Sequence, residues 1–547
     1  MGKSTKRMNE LYFGDCLDVL ETFGNREPFI DLIYIDPPFN SKRNFNHIFP
    51  NASEEVKDAQ TLAFEDTWSN VSYQEAMSEI EAIDEPLYNV LQTFHKILGN
   101  GSGAVAYLTT MSHRLWYMHR YLKSSGSFYL HCDPTMSHYL KMICDIIFGG
   151  DNFRNEIIWQ RTSTHNDAKQ GAKHFGRVTD TILFYAKNRN EMKFNVQYRP
   201  YTEEYINSEY KYLDESGRRH KRTDLTAQKG GGDTSYEFCG VRPYNGRYWA
   251  YSKENMEKFL NEGRLYIPSN GGIPRLKQYL DEMPGNSIDN LWTDIGFEEK
   301  GERLGYPTQK PMALLERIIK TSTDEGDLVA DFFCGCGTTV TVAEKMERQW
   351  LGVDISHLAV NVIEKRLKDT FQSNIKKFDV HGIPKDIHAA QKLASETKGG
   401  RLKFQEWVVV SKLLGVCSKK GGDGGIDGKT TFQIENGKKE NVLIQVKSGQ
   451  TSANDVRAFC QVIEKEKASM GIFVCFKKHV KKSLKDAAND VGNFYHPSFN
   501  HHKKVKIVTV ESLFDEGYIN QVFPAKPTLY KSANKQLTKR NPQGKIF

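Results

Sequence analysis

One stretch of this chain limits its fold more than any other. An apolar run from Leu328 to Phe333 leads into a glycine-containing turn and then into a helix predicted from Val340 to Met346. Gly335 and Gly337 allow a ligand to approach the backbone closely, and the N-terminus of the helix offers free N–H groups. A strand, a turn and a helix in this order are typical of the ligand-binding edge of an α/β sheet.

The acidic residue Asp354 extends this motif. It lies 17 residues beyond Gly337, at the end of the next predicted strand, where a carboxylate can bind ribose hydroxyls. The turn has only two of the glycines of the dinucleotide fingerprint and no Gly-Lys-Thr follows it, which argues against a nicotinamide site and a P-loop. The pattern predicts an adenosine-binding half-sheet.

A second polar turn, Asp36-Pro-Pro-Phe39, directly follows the apolar strand predicted from Phe29 to Ile35. Its prolines stiffen the backbone and leave carbonyl oxygens free as acceptors, beside a carboxylate and an aromatic face. Acceptors next to a stacking ring suit a planar base that carries an exocyclic amine. For four residues taken alone, a turn that merely ends a strand is the alternative.

A third set of polar residues lies in the last quarter of the chain. Asp427 belongs to a glycine-rich stretch, and the strand predicted from Val442 to Lys447 carries Gln445 two residues before Lys447. Residues two apart in a strand share a face, so the acid, the amide and the lysine are predicted to lie together. Such a triad can bind a hard cation and polarise a water against a phosphodiester, although a plain loop is the alternative.

The charge is distributed unevenly along the 547 residues. Residues 401–547 carry 26 Lys and Arg against 13 Asp and Glu, whereas residues 1–400 carry 49 against 55. The net charge of +7 therefore hides a basic last quarter, which is the electrostatic pattern expected for contact with a polyanion such as nucleic acid. A solvated lysine-rich face is the alternative.

Cysteine usage and hydropathy indicate the cellular compartment. The nine cysteines are scattered and form no Cys-x-x-Cys pair, which is typical of a reduced intracellular protein without structural zinc. The N-terminus has no apolar segment behind its basic residues, and no stretch approaches 18 apolar residues. We expect a cytoplasmic protein that does not contact a membrane.

The two turns, in this order, resemble the S-adenosylmethionine-dependent amino-methyltransferases that act on exocyclic nitrogens of DNA bases. The long segment between them is similar to the permuted β-group order, which Type III modification subunits share. Gly14-Asp15 and Tyr306-Pro-Thr-Gln-Lys-Pro311 extend the resemblance, which covers about residues 8 to 370. The family more often has His where Tyr306 stands.

The resemblance implies roles for the matching residues. Asp36 and the carbonyl of Pro37 would hold the target amine, Phe39 would stack on the base, and Pro38 belongs to the same implied site. The implied cofactor is S-adenosylmethionine, and the residues implied to surround it are Asp15, Asp331, Phe333, Gly335, Gly337, Thr338 and Asp354. Adenine N6 is the favoured target because this motif order is more typical of adenine enzymes. Cytosine N4 is the alternative.

Residues from about 400 to 515 resemble the Mrr-type restriction endonucleases of the PD-(D/E)xK class. This resemblance implies that Asp427 and Gln445 bind Mg²⁺ and that Lys447 completes a catalytic set with them. Two outcomes stay open for this part of the chain, which either cleaves DNA as the nuclease of a fused restriction enzyme or only binds DNA.

Together, these features predict an α/β protein. A Rossmann-like methyltransferase sheet carries an inserted target-recognition region and is followed by a smaller α/β nuclease-like domain of the PD-(D/E)xK class. The predicted segments are a first methyltransferase half, the insertion, a second half, a linker, the nuclease-like domain and a basic tail, at residues 1–150, 151–300, 301–375, 376–400, 401–523 and 524–547. The expected partner is double-stranded DNA, with a restriction subunit and a second copy of the chain as further candidates.

Overall fold

The computed structural model describes most of the chain in two compact units. One unit combines the chain up to Asn195 with the chain from Asn290 onward, and the other is Val196–Asp289. The described residues are 9–38, 70–99, 103–162, 171, 173–229, 234–296, 302–304, 306, 309–396, 399–418, 425–433, 439–496, 499–515 and 517–525.

A nine-stranded sheet organises the first unit. Its order is β6-β4-β5-β3-β2-β7-β8-β1-β9, in which β5 runs antiparallel to β3 and β4 and the other pairs are parallel. In chain order the strands are β1 (Asn9–Phe13), β2 (Ile30–Ile35), β3 (Leu122–Cys132), β4 (Phe153–Gln160), β5 (Thr179–Ala186), β6 (Leu291–Trp292), β7 (Leu328–Asp331), β8 (Gln349–Asp354) and β9 (Phe378–His381).

The central strands β2 and β7 are buried along their whole length, as continuous apolar runs in a parallel sheet require. They are neighbours, and the chain leaves them toward opposite sides of the sheet, β7 toward β8 and β2 toward β3. This reversal leaves a crevice beyond the carboxyl ends of β2 and β7. The strands predicted at both motifs are therefore confirmed.

Helices accompany this sheet, and several have side-chain caps at their first turn. The Asp15 carboxylate accepts from the backbone N–H of Leu17, and the Ser356 hydroxyl accepts from that of Ala359. The helices are α1 (Cys16–Thr22), α2 (Asn70–Ile83), α3 (Glu85–Leu98), α4 (Gly103–Tyr121), α5 (Ser137–Cys144), α6 (Met312–Ser322), α7 (Thr338–Lys345) and α8 (His357–Phe371).

The structure corrects the predicted start of the insertion at residue 151. Strands β4 and β5 belong to the nine-stranded sheet, and the separate compact unit begins at Val196. Strand β4 was missed because only Ile157 and Trp159 along it are buried, so the edge of the sheet shows no continuous apolar run.

The second unit is built from short strands around a small core. Its apolar centre includes Leu225, Trp249 and Met256. Its helices are Glu203–Glu209 and Lys253–Asn261, and its strands are Tyr198–Arg199, Tyr212–Leu213, Arg219–Asp224, Thr226–Ala227, Tyr248–Trp249, Leu265–Tyr266, Arg275–Tyr279 and Asn286–Ser287.

A five-stranded sheet follows in the C-terminal part of the first unit. Its order β10-β11-β12-β13-β14 is antiparallel between the first three strands and parallel between the last three. The strands are β10 (Val416–Cys417), β11 (Gly428–Gln433), β12 (Lys439–Lys447), β13 (Met470–Cys475) and β14 (Val505–Thr509), with a hairpin at Asn493–His496 and Phe499–Lys503.

The helices of this part are α9 (Ile387–Ser395), α10 (Gly400–Glu406), α11 (Ala453–Lys465), α12 (Lys482–Asn489) and α13 (Tyr518–Val522). A π-helical turn, Trp407–Lys412, continues α10 and packs on α8. Leu358 of α8 lies in the same apolar core as Trp407, so the two sheets share a packed boundary. Among the residues that the structure describes, no helix has the length and apolar character needed to cross a membrane.

Candidate active site

The two sequence motifs meet at the carboxyl ends of β2 and β7. Asp36 and Pro37 come directly after β2, and Phe332 and Phe333 follow β7 on the neighbouring strand. Pro37 is buried and Pro38 is partly buried. Phe39, which was predicted to stack on the base, lies outside the described residues.

Asp36 offers one carboxylate oxygen that the protein does not use. Its Oδ2 is ion-paired with Nζ of Lys310, while its Oδ1 is buried and has no hydrogen-bond partner among the described residues. The side chain is 15% exposed. Because an unpaired buried acceptor is unfavourable, this oxygen is poised to accept a hydrogen bond from a ligand.

The turn after β7 depends on glycine at two positions. Gly335 has φ +51° and Gly337 has φ +72°, both in the left-handed region. A Cβ atom at Gly337 would lie 2.6 Å from Cγ1 of Ile363, and one at Gly335 would lie 3.5 Å from the ring of Tyr306. The backbone therefore runs close to α8 and to the Tyr306 ring, with no space for a side chain at Gly337.

Asp354 holds the other side of this turn. Its carboxylate accepts from the backbone N–H of Gly335 at 2.8 Å and from that of Ser356 at 2.9 Å. Burial raises the pKa of Asp354 to about 6, although these two hydrogen bonds favour the charged form. Asp354 therefore fixes the glycine turn as well as standing at the end of β8, where a ribose is expected.

Two residues that were predicted to surround the cofactor have buried side chains whose polar atoms are paired within the protein, and their contact with the cofactor stays a prediction. Asp331 is 3% exposed, and its oxygens accept from the backbone N–H of Phe333 and the hydroxyl of Thr339. Its burial raises its pKa to about 7. The hydroxyl of Thr338 is equally buried and accepts from the Arg366 guanidinium at 3.0 Å. Both side chains shape the turn, because their polar atoms are already paired inside the protein.

The third acidic residue, Asp15, lies near the carboxyl ends of the parallel strands, and its carboxylate forms an ion pair. The Arg114 guanidinium donates to both Asp15 oxygens at 2.8 and 2.7 Å, in addition to the helix-capping bond from Leu17. The backbone N–H of the preceding Gly14 donates to the carbonyl of Asp354 at 3.0 Å. Asp15 thus adjoins Asp354, and its contact with the adenine amine stays a prediction.

Lys310 is a site residue that the motif analysis missed. It lies in the Tyr306–Pro311 stretch, which was recognised as matching the family, but nothing in one sequence shows that its ammonium group reaches Asp36, 274 positions earlier in the chain. A lone lysine beside proline gives no periodic or spacing signal.

A hydrogen-bonded chain beneath Asp36 was also missed. The Tyr34 hydroxyl lies 3.1 Å from Nδ1 of His131, and Nε2 of His131 lies 3.2 Å from the carboxylate of Asp180. Asp180 pairs with Arg161 at 3.3 Å. Burial alone would raise the pKa of Asp180, but the hydrogen bond with His131 and the nearby positive charges hold it below its usual value. The chain ties β2, β3 and β5 together at the motif-bearing edge.

The C-terminal polar residues form a different arrangement. Oδ2 of Asp427 accepts from the backbone N–H of Val446 at 2.6 Å, and Oε1 of Gln445 is buried without a hydrogen-bond partner among the described residues. Nζ of Lys447 lies 3.7 Å from the carboxylate of Asp455. The structure brings Asp427 next to β12 as predicted, but Lys447 pairs with a carboxylate outside the predicted triad.

The described residues offer few of the protein ligands that the predicted Mg²⁺ site needs. Asp427 has one oxygen left after bonding Val446, and burial raises its pKa, which disfavours the charged form. Gln445 adds a neutral oxygen. The described residues contain no group of three or more His, Cys, Asp or Glu side chains suited to a metal ion. One carboxylate oxygen and one amide oxygen are at the low end of the protein ligands that Mg²⁺ sites use, which are one or two carboxylates beside waters and phosphates.

Comparison with known proteins gives two matches along the chain. Residues 30–365 match a family described as DNA methylase, N6_N4_Mtase. Residues 415–515 match a family described as NACHT-associated inactive Restriction Endonuclease 1. The second match supports a restriction-endonuclease relative, and the narrower likeness to Mrr-type enzymes stays a prediction.

Curated relatives resemble the first part of the chain. The Type II methyltransferase M.EcaI of Enterobacter cloacae is 31% identical over 263 residues, which are 48% of this chain and 57% of that protein. The Type III restriction-modification enzyme StyLTI Mod subunit of Salmonella typhimurium is 29% identical over 342 residues, 60% of this chain and 48% of that protein. The DNA adenine methyltransferase YhdJ of Escherichia coli is 24% identical over 311 residues, 57% of this chain and 83% of that protein. The chain thus spans about half the length of the first two relatives.

Proposed function

We propose a function for this chain from the premise that it belongs to the DNA methylase family, whose match spans residues 30–365. The chain transfers a methyl group from S-adenosylmethionine to the exocyclic N6 of adenine in double-stranded DNA. It does so as the modification activity of a restriction-modification system. Transfer to cytosine N4 is the alternative.

The observation that carries this proposal is the unused oxygen of Asp36 beside the glycine turn. A buried acceptor without a partner, at the end of β2, stands next to a turn at β7 that excludes side chains. The first feature suits an amine and the second suits a ligand held against backbone.

The residues present fit S-adenosylmethionine. Phe333 is partly exposed at the turn, Gly335 and Gly337 bring the backbone close, and Asp354 stands at the end of the next strand. These residues would hold the adenosine part, with Asp354 accepting from ribose hydroxyls. When bound, this group supplies an electrophilic methyl on a sulfonium.

The chain's own contribution is orientation. Oδ1 of Asp36 accepts one hydrogen of the target amine, which directs the lone pair of the nitrogen toward the methyl group. Lys310 fixes the other Asp36 oxygen and so sets the direction of Oδ1. On this proposal the Pro37 carbonyl accepts the second hydrogen and Phe39 stacks on the base. The base must leave the duplex first, at a cost of a few kcal/mol.

Adenine is the proposed target because of the motif order and because the YhdJ relative, which this chain covers to 83%, is described as a DNA adenine methyltransferase. The Type II and Type III names of the other two relatives support the restriction-modification setting. We propose the cytoplasm as the location, with a restriction subunit and a second copy of the chain as further partners.

Methylation of unmodified genomic DNA tests this proposal. The full chain is incubated with the DNA and tritiated S-adenosylmethionine, and the nucleosides are then analysed by mass spectrometry. We expect N6-methyladenine. N4-methylcytosine would replace the proposed target by the alternative, and no incorporation into DNA would refute the proposal.

For the C-terminal part we propose DNA binding without cleavage. The excess of 13 positive charges in residues 401–547 favours contact with phosphates, and the family that residues 415–515 match is described as an inactive restriction endonuclease. The compact unit Val196–Asp289 is the proposed target-recognition part. Nicking of supercoiled plasmid in Mg²⁺ that disappears in Lys447→Ala would instead establish the fused nuclease.

A further inference from the structure

We propose that Phe175 enters the base stack of DNA and fills the space that the target base vacates. This inference rests on the proposed function, because a base is flipped only if the chain modifies it. Phe175 stands on the connection between β4 and β5, outside every motif that sequence analysis singled out.

The exposure of Phe175 is the first observation. Its side chain is 98% exposed, more than any other large hydrophobic residue that the structure describes. A ring held fully in water stabilises no core, and its apolar surface is available to a partner. A single ring is too small for a protein interface of ordinary area, but it is the right size to replace one base in a stack.

The charge around the ring selects the partner. Lys173, His174 and Arg177 flank Phe175 and are all exposed. The whole connection, residues 161–178, contains four Lys or Arg and one Asp. An aromatic ring surrounded by positive charges suits a partner that has negative charges and flat apolar surfaces. Duplex DNA offers both, because its phosphates are negative and its base faces become accessible when two stacked base pairs separate.

The position of this connection in the sheet is the second observation. Strand β5 runs antiparallel to β3, so it begins at the edge where β2 and β3 end; Ile35 pairs with Leu130, and Cys132 pairs with Thr181. Two strand spacings, about 10 Å, separate β5 from β2. Phe175 precedes Thr179, the first residue of β5, by four residues and so lies within about 14 Å of the start of that strand.

The base of the connection is fixed to the site below it. The Arg161 backbone N–H donates to the carbonyl of Val178 at 3.0 Å, and its guanidinium pairs with Asp180. Asp180 continues to His131 and Tyr34, two residues before Asp36. The base from which the ring is presented is thus linked through Asp180 to the strand that carries Asp36, which suits a ring that fills the gap left by a base at Asp36.

The test compares paired and weakened DNA. The methylated sequence is first mapped by sequencing DNA treated with the unaltered chain. Two duplexes of that sequence are then made, one fully paired and one with a mismatched base opposite the target. Because a mismatched base leaves the stack more easily, it depends less on a filling ring.

We expect Phe175→Ala to lower kcat/KM on the paired duplex about 10- to 100-fold, the range that base–aromatic stacking supplies, and on the mismatched duplex by less than about threefold. Phe175→Trp retains activity on both. Ile97→Ala, which removes another exposed apolar side chain (68% exposed) on α3, serves as the matched control and changes neither rate. Binding of S-adenosylmethionine and the melting temperature stay unchanged in all three variants.

Unchanged activity of Phe175→Ala on the paired duplex would overturn the inference. An equal loss on both duplexes would also overturn it, since the ring would then act on something other than the vacated space. Absence of transfer to any DNA by the unaltered chain would instead refute the proposed function, and this inference with it.

Discussion

Asp36 and Asp427 both lie at the end of a strand in an α/β sheet, but the protein treats their carboxylates differently. Asp36 keeps Oδ1 buried and unused among the described residues, and Lys310 fixes its other oxygen. Asp427 gives one oxygen to the backbone of Val446, and the acceptor that is buried without a partner there is the amide Oε1 of Gln445. The first arrangement leaves a buried carboxylate oxygen for a ligand, whereas the second leaves a buried amide oxygen and uses one oxygen of its acid to hold the strand.

This difference shows that a sequence motif does not by itself establish a functional site. Both sets of residues have the right types at the right spacing, and both are brought together by their sheets. What separates them is which polar atoms remain after the fold has satisfied its own hydrogen bonds. Variants of the two regions can test this distinction.

The largest effect is expected from removing the two acids in turn. Asp36→Ala should lower the rate of methyl transfer about 100- to 1,000-fold, the usual loss for one oriented polar group at a reacting centre, while S-adenosylmethionine still binds. Asp427→Ala should leave methyl transfer unchanged. Rates with tritiated cofactor and binding by calorimetry measure both. A comparable loss of methyl transfer in Asp36→Ala and Asp427→Ala would contradict the proposed difference between the two regions.

A smaller effect is expected at glycine residues in the same two regions. Gly337→Ala places a methyl group 2.6 Å from Ile363 at φ +72°, so we expect a loss of cofactor affinity of about tenfold and a destabilisation of about 1–3 kcal/mol. Gly449, just after β12, has open space around it, and Gly449→Ala should stay within about 0.5 kcal/mol of the parent. Thermal melting with and without cofactor checks both. An unchanged melting temperature and cofactor affinity in Gly337→Ala would show that the turn can accommodate a methyl group.

The smallest effect concerns pH. Because burial raises the pKa of Asp354 to about 6, its carboxylate is charged at neutral pH and becomes protonated as the pH falls through that value. The charged form accepts from Gly335 and from ribose, so affinity for S-adenosylmethionine should fall several-fold between about pH 7 and pH 5. Asp354→Asn should bind more weakly and lose this dependence. An equal acid-side fall in the variant would assign the titration to another group.

Much of the fold could be predicted from local sequence, for physical reasons. Strands such as Ile30–Ile35 and Leu328–Asp331 are buried on both faces and therefore appear as unbroken apolar runs. The helix Ile387–Ser395 is specified in the same local way, since Asp386 caps it and its apolar residues recur at helical spacing. These elements are specified by neighbours in the chain.

The errors arose where an element or a contact depends on residues that are distant in the sequence. Strand β4 lies next to the short outermost strand β6 and has only two buried side chains, so it was assigned to the insertion. Sequence also does not show that Thr339 and Arg366 are partners of the buried polar atoms of Asp331 and Thr338. Lys310 was overlooked for the same reason, since its partner is known only once the chain has folded.

The helix α8 has a consequence for how this chain can be divided. Its first residue, His357, stacks on Phe13 of β1 with ring centroids 3.6 Å apart and meets the Ser411 hydroxyl at 3.0 Å, while Leu358 is buried with Trp407 in the C-terminal core. A cut in the segment 376–400, where composition changes, would leave this face without its cover. Recombination or proteolysis at that point would therefore expose an apolar, aggregation-prone surface on both fragments. We expect the two sheets to evolve and to be expressed as parts of one chain.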